Sequence, residues 1–427
     1  MTQITLAKQG KTTAQMKHVA RSEKRTVDDI RHGIAAGHIV IPFNPIHAPS
    51  ALGIGKGLRV KVNANIGTSR EYCHLQEEVQ KAKVAVAAGA HAVMDLSTGG
   101  NLDVIRKRLL KTVSVPFGTV PIYQAGIEAI AKQGSIVEMT ADDMFSMVEH
   151  QAKQGVDFTV VHVGITKVSV ERLRKQKRLI PMVSRGGSFH MAWILHHDQE
   201  NPFYKEFEYL LEIAKEYDIT LSLGDGMRSG ALADSNDRAK FQELLLIGEL
   251  VEKARNAGVQ TMVEGPGHMP LSDIQANIQV MKTVTTDAPY FVLGPLVTDI
   301  APGYDHFVGG IGGAFAGFCG ADFLCYVTPA EHLCLPDKHD VRDGVIATRI
   351  AAHAADLARG IDREVDASFS AAREKLDWEK MFHLCIDPTK AKEYRAKRSP
   401  LEDTKSCSMC GSLCALEMVN KYLKNKK

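Results

Sequence analysis

The chain has 427 residues, 44% of them hydrophobic and 24% charged. This is globular composition with enough apolar material for a large core, and it excludes a disordered, fibrous or membrane-embedded chain. The formal net charge of +2 provides no basic field for nucleic acid or for an anionic membrane surface.

The first thirty residues are polar and charged and lack the apolar core of a signal peptide, so a cytoplasmic location is expected. The apolar stretch "GAFAGFCGADFLCYV" (Gly313 to Val327) is too short and too Gly-broken to span a bilayer. Residues 1–58 are predicted to form a helical N-terminal region. In it "TVDDIRHGIAAGHIVIPFNPIHAPS" opens on a Thr-Asp-Asp helix start and breaks at Pro42 and Pro45.

A rhythm follows across residues 59–365. Short β-branched runs alternate with helical stretches: "RVKVNANIG", "HAVMDLSTGG", "PFGTVPIYQ", "DFTVVHVG", "IPMVSRGG", "ITLSLGDGMR", "VQTMVEGPGH", "YFVLGPLVTD" and "DFLCYVTPAEH". The intervening "RAKFQELLLIGELVEKARNAG" has helical apolar spacing and a stop at Gly258. Strands alternating with helices mean a parallel α/β sheet. Nine runs approach the eight strands of a (β/α)8 barrel, with one run outside it. A doubly wound open sheet is the rival. Polar residues end nearly every run, and no G-x-G-x-x-G follows the first, which favours the barrel. The helix "GVIATRIAAHAADLARG" stops at Gly360, and residues 366–427 form a helical arm with a linker, "KRSPLEDTKS", before a cysteine-rich segment.

In a barrel the carboxyl ends of the strands meet on one face. Gathered there are Asn63, Asn65, Met94, Asp95, Ser97, Tyr123, His162, Ser184, Arg185, Gly186, Asp225, Arg228, Glu264, His268, Asp299, Glu331 and His332. Asp95, Ser97 and Asp299, taken singly, read equally well as helix caps. Capping calls for neither arginine nor a layer of histidines, so the face is read as a pocket. "STGG" and "SRGGS", with Arg185 and Arg228, are suited to a phosphate or carboxylate. His268 and His332 could share a divalent metal, although a hydrogen-bonded pocket histidine is the commoner case. His306 is a comparable candidate; His196 and His197 read as surface residues.

Near the C-terminus "CSMCGSLC" places Cys407, Cys410 and Cys414 within eight residues. Zinc usually takes four closed ligands, and a disulfide would leave an odd thiol. Three thiolates can instead hold three irons of a [4Fe–4S] cube and leave the fourth iron open. The other five cysteines, Cys73, Cys319, Cys325, Cys334 and Cys385, are dispersed and read mostly as small buried hydrophobes. A non-catalytic barrel with the triplet as a zinc clip is the alternative of another class.

That motif, with "VNANIGTS", "VMDLSTGG", "GTVPIYQ", "VSRGGS", "SLGDG", "VEGPGH", "LGPLVTDIAPGYDH" and "CYVTPAEH" in order, resembles the phosphomethylpyrimidine synthase family of thiamine biosynthesis. The resemblance implies a radical S-adenosylmethionine lyase on a (β/α)8 barrel acting on 5-aminoimidazole ribonucleotide through a 5′-deoxyadenosyl radical. It implies that Cys407, Cys410 and Cys414 hold the [4Fe–4S] cluster and that His268 and His332 hold zinc or a similar ion. Asn65, Met94, Tyr123, His162, Ser184, Arg185, Gly186, Asp225, Gly226, Met227, Arg228, Glu264 and Phe291 would contact substrate. It further implies an external electron donor and a homodimer in which the cysteine segment closes over a barrel.

The chain departs from the family pattern in places. "FNPIH" stands where the family reads A-N-I-N-H, keeping Asn44 and His47 but placing Phe43, Pro45 and Ile46. Phe291 replaces a substrate-binding Tyr, Met227 replaces Leu, Val308–Gly309 replaces Thr-Ser, and Cys334 replaces Gly. Losing an amide and several hydroxyls near one pocket should change which intermediate is held. With these departures the chain resembles the family's 5-hydroxybenzimidazole synthase branch, and that resemblance implies 5-hydroxybenzimidazole, the lower-ligand base of a cobamide, as the expected product, released with formate. The alternative is 4-amino-2-methyl-5-phosphomethylpyrimidine.

Overall fold

The computed structural model describes residues 1–398 and 405–423. They form two compact units, Met1–Ala355 and Asp356 onward.

The first unit is built on a closed barrel of eight parallel strands. These are β1 (Lys61–Ile66), β2 (Ala92–Asp95), β3 (Phe117–Thr119), β4 (Phe158–Val161), β5 (Thr220–Leu223), β6 (Thr261–Gly265), β7 (Tyr290–Leu293) and β8 (Phe323–Cys325). Each strand pairs with its sequence neighbour, and β8 closes on β1 with Leu324 opposite Val62. Nearly every strand residue is buried, as expected where helices cover the outside and side chains fill the inside. The run outside the barrel is Ile180–Gly187. Ser184 there accepts a hydrogen bond from the Gly187 amide and caps the helix Arg185–His197, so the run ends in a helix start instead of a strand.

The lower barrel interior is filled by aromatic rings. Phe323 stacks on Phe291 at 4.2 Å and meets Phe158 edge-on at 6.4 Å. The Phe158 ring reaches across β3 only because Gly118 has no side chain: a Cβ there would lie 2.3 Å from it. This aromatic layer is the floor on which a cavity stands.

Residues 1–58 form three helices, Gln3–Lys8, Ala14–Ser22 and Val27–Ala35, with a short antiparallel pair, Ile39–Val40 with Ile54–Gly55. The predicted Thr-Asp-Asp start is a capping box between Thr26 and Asp29. That helix ends at Ala35, before the prolines, and Gly37 follows with φ +72°. This region seals the amino-terminal face of the barrel. Thr2 donates to the Gly258 carbonyl at 2.6 Å, the Gln3 amide donates to Asp218 at 3.0 Å, and the Ile41 amide donates to Gln260 at 2.8 Å. All three partners lie just before a strand.

Asn44 and His47 belong to the same seal. His47 Nδ1 lies 2.6 Å from Asp157, the residue before β4, and Asn44 donates to the carbonyls of Ala152 and Val156. The expectation that the "FNPIH" departure lies beside the pocket is therefore corrected: it lies at the opposite end of the strands.

The helix Arg238–Ala257 ends at Gly258 with φ +84°, as predicted. The helix Lys338–Ala358 begins before its predicted start at Gly344, because the Asp337 carboxylate accepts the His339 and Asp340 amides. In the second unit Arg363–Glu374, Trp378–Leu384 and Pro388–Lys397 are helical. Arg395 lies 3.6 Å over the Trp378 ring, and the Trp378 indole donates to the Lys405 carbonyl. Part of the predicted linker, residues 399–404, lies outside the described residues. No helix among the described residues is long and apolar enough to cross a membrane.

Candidate active site

At the carboxyl ends of the strands the barrel opens into a cavity of about 80 Å3. Its wall takes Asn65 from β1, Met94 from β2, Val120 after β3, and Val160 and His162 from and after β4. Arg228 after β5, Glu264 from β6, Phe291 and Leu293 from β7, and Cys325 from β8 complete the ring. Tyr123, in the first turn of the helix Pro121–Gln133, also lines it. Asn65, Tyr123, Arg228 and Leu293 continue into an outer chamber of about 720 Å3, where Arg185, Glu331, His332 and Cys334 join them. The outer chamber has the volume of a small-molecule site, and the inner cavity is its narrow end.

His162 sits edge-on between two glycines. A Cβ on Gly186 would lie 2.3 Å from its Cε1, and one on Gly224 would lie 2.9 Å from its Cδ2. Its Nε2 is 3.1 Å from the Ser184 hydroxyl, and its Nδ1 is buried without a protein partner. Burial, helped by His190 and Arg228, holds its pKa well below the ordinary range, so the ring is neutral. Glu264 is pushed up to about 7, mainly by burial and partly by Asp225, against the opposing charge of Arg228. A carboxyl that keeps its proton near neutrality can donate a hydrogen bond.

Arg228 leaves its Nε buried and unpartnered. A guanidinium N–H without an acceptor in a polar cavity is positioned for a ligand oxygen. Arg185 lies with Cζ 5.1 Å over the Tyr123 ring, in the same outer chamber. Two guanidiniums thus face one space.

The other predicted contacts stand behind this wall. Ser184 and Gly186 set the His162 ring. Gly226 and Met227 contribute backbone to the loop after β5, and the Met227 side chain is fully buried. Asp225 opens instead onto a separate small cavity with Lys240, Glu243 and Glu264. "STGG" is turned inward: the Ser97 hydroxyl accepts the Thr68 amide, and Thr68 donates to the Gly99 carbonyl. Asp95 accepts the Ser97 amide, which braces a turn and caps no helix.

His268 and His332 approach with ring centroids 5.2 Å apart. Asp299 lies 2.8 Å from His268 Nδ1, and Asp305 lies 3.7 Å from His332 Nδ1. The Asp299 carboxylate on Nδ1 turns His268 Nε2 outward as a lone-pair donor, which fits a divalent ion, while Asp305 stands too far from His332 for such a hydrogen bond. The donor set stops at two. Among the described residues no group of three or more His, Cys, Asp or Glu side chains is arranged to hold an ion.

In the second unit the Cys407 carbonyl accepts the Cys410 and Gly411 amides at 3.2 and 2.9 Å, and the Gly411 carbonyl accepts the Cys414 amide at 3.2 Å, so the triplet lies on two successive turns. Amides of Cys410 and Met409 directed at the Cys407 thiol hold its pKa below the ordinary value. Three soft sulfur donors on successive turns fit an iron–sulfur cluster by chemistry.

Cys325 was not singled out among the dispersed cysteines. It is buried, receives a hydrogen bond from Asn65 at 3.0 Å, and forms part of the cavity wall. Burial raises its thiol to about 12, so it stays protonated. The signal lay in its position inside the run "DFLCYV", at a strand end.

The profile of the Radical SAM ThiC family matches residues 2–421. The chain belongs to that family. It is therefore a radical S-adenosylmethionine enzyme, and family membership implies S-adenosylmethionine and an iron–sulfur cluster. Relatives from Desulforudis audaxviator and Moorella thermoacetica, each called phosphomethylpyrimidine synthase, are 57% and 55% identical over 99% of this chain and 98% of their own. A relative of the same name from Methanocaldococcus jannaschii is 54% identical over 98% of this chain and 99% of its own.

Proposed function

We propose that the enzyme is a phosphomethylpyrimidine synthase, converting 5-aminoimidazole ribonucleotide to 4-amino-2-methyl-5-phosphomethylpyrimidine. The observation that carries this reading is the full-length identity of 53–57% to relatives of that name. The placement of the departures supports it as well. Phe43, Pro45 and Ile46 lie with the seal on the amino-terminal face, and Val308 is buried against Leu296 and Val327. Met227 offers the loop its backbone. Phe291 and Cys334 alone among the departures line the cavity or the chamber. The benzimidazole product, expected from a pocket stripped of several polar groups, loses most of its physical basis and becomes the alternative.

Each residue's part follows from its chemistry. Arg185 and Arg228 hold the ribotide phosphate at the chamber mouth by charge-assisted hydrogen bonds. Asn65, neutral His162 and protonated Glu264 meet the heterocycle, and Met94 and Phe291 supply apolar walls that exclude water. Cys407, Cys410 and Cys414 would hold the cluster, and His268 with His332 would hold zinc or another divalent ion. When bound, the cluster and S-adenosylmethionine supply the one-electron chemistry that abstracts hydrogen from the substrate. A soluble small-molecule enzyme in the cytoplasm, working as a homodimer with an external electron donor, completes the reading.

Genetic complementation tests it. Expression in a bacterial strain that lacks the pyrimidine branch of thiamine synthesis should restore growth without added pyrimidine. Failure to grow, with the protein present and holding its cluster, would count against the proposal.

A further inference from the structure

The loop after β5 carries Arg228 to the cavity, yet it is held from outside the cavity wall. Glu243, in the helix Arg238–Ala257, is 1% exposed. Its Oε1 accepts the Gly226 amide at 2.9 Å, and its Oε2 accepts the Met227 amide at 2.7 Å. From the other side Arg178 donates to the Met227 carbonyl at 2.8 Å. Arg178 is itself fixed by Asp237, which caps the same helix through the Lys240 amide. The fit is close: a Cβ on Gly164 would fall 2.5 Å from Glu243 Cγ. The peptide between Asp225 and Arg228 is therefore gripped by both its amides, through Glu243, and by a carbonyl, through Arg178.

We propose that Glu243 is a positioning residue for ligand binding, fixing the Gly226–Met227 backbone so that Arg228 presents its unpaired N–H to the cavity. Both Glu243 carboxyl oxygens accept an amide, while burial and a hydrogen bond shared with Asp225 raise its pKa well above the ordinary range; no side chain of similar size other than glutamate offers two acceptor oxygens. Glutamine would set an NH2 group against one amide and leave that buried donor unpaired. The loop would then sample other backbone positions, and Arg228 would move with it. Misplacement of this kind acts on binding without any contact between Glu243 and ligand. The functional half of the inference rests on the ribonucleotide reading of the cavity; the backbone half does not.

The test uses the full chain and two measurements, amide hydrogen exchange across residues 224–229 and calorimetric titration with 5-aminoimidazole ribonucleotide. In Glu243→Gln the exchange of this loop should rise on the order of tenfold, the cost of one unpaired buried donor, with the strands unchanged. Affinity should fall by a similar factor. Arg178→Gln, which frees the same peptide from its carbonyl side, should do likewise and decides the matter if Glu243→Gln does not fold. Glu252→Gln, exposed on the same helix, should match the unsubstituted chain. Faster loop exchange with unchanged affinity would reduce Glu243 to a structural role and overturn the inference. Unchanged exchange in both variants would overturn it too. A parent chain that takes up no ribonucleotide would sink the ligand reading, while the exchange comparison still judges the grip.

Discussion

His268 and His332 meet with tilted rings, centroids 5.2 Å apart and planes at 48°, and Asp299 holds His268 Nδ1 at 2.8 Å. His332 takes a left-handed backbone, φ +61°, to reach this position. Such a conformation costs a non-glycine residue about 1–2 kcal/mol, so the surrounding loop holds the ring there against a local preference. On titration with zinc, His268→Ala and His332→Ala should each abolish stoichiometric uptake at this site. Asp299→Asn should weaken it about 10- to 100-fold by loosening the ring behind the metal. Zinc affinity equal to the parent in both histidine variants would rule out the pair.

Arg228 leaves a buried N–H without a partner. Arg228→Ala should weaken ribonucleotide binding by about 2–3 kcal/mol, the loss of a charge-assisted contact. Calorimetry measures this directly, and an unchanged dissociation constant would remove Arg228 from the ligand.

Glu264 supplies a pH dependence. Its folded pKa of about 7 lies above the ordinary value for an unfolded chain, so between roughly pH 4.5 and 7 the folded state holds the extra proton. Stability is therefore lost as pH rises through that window. Glu264→Gln should flatten this part of the profile, seen as a smaller drop in Tm between pH 5 and pH 7.5 than in the parent. An identical drop in both proteins would show that Glu264 is already ionised.

His47 and Asp157 form a buried pair at the amino-terminal face, 2.6 Å apart, with side chains 5% and 0% exposed. Removing one partner strands the other, at a cost of about 3–5 kcal/mol. His47→Ala should lower Tm clearly and leave the identity of the product unchanged. A new product from this variant would return the "FNPIH" stretch to the active site.

Cys410→Ala should eliminate iron binding and turnover, with the far-ultraviolet circular dichroism of the parent retained. The barrel core contains none of the triplet. Loss of helical signal would make the segment a folding element.

Much of the architecture was legible in the sequence because barrel strands are buried on both faces and so read as unbroken β-branched runs. The sequence leaves one of the nine runs outside the barrel without saying which, because Ile180–Val183 has strand composition while Ser184 starts a helix after it. The site residues were legible as strand-end positions, since the barrel brings those ends together whatever their separation in the chain. What stayed hidden was direction. Nothing local distinguishes Asn44, which braces the barrel floor, from Asn65, which lines the cavity. Glu243 is concealed within an ordinary amphipathic helix pattern, and only the path of the β5 loop reveals what it holds.

The central claim is chemical, and one assay addresses it most directly. The reconstituted protein, incubated without oxygen with 5-aminoimidazole ribonucleotide, S-adenosylmethionine and a reductant, is read by mass spectrometry. The account predicts 4-amino-2-methyl-5-phosphomethylpyrimidine; formation of 5-hydroxybenzimidazole in its place would contradict it.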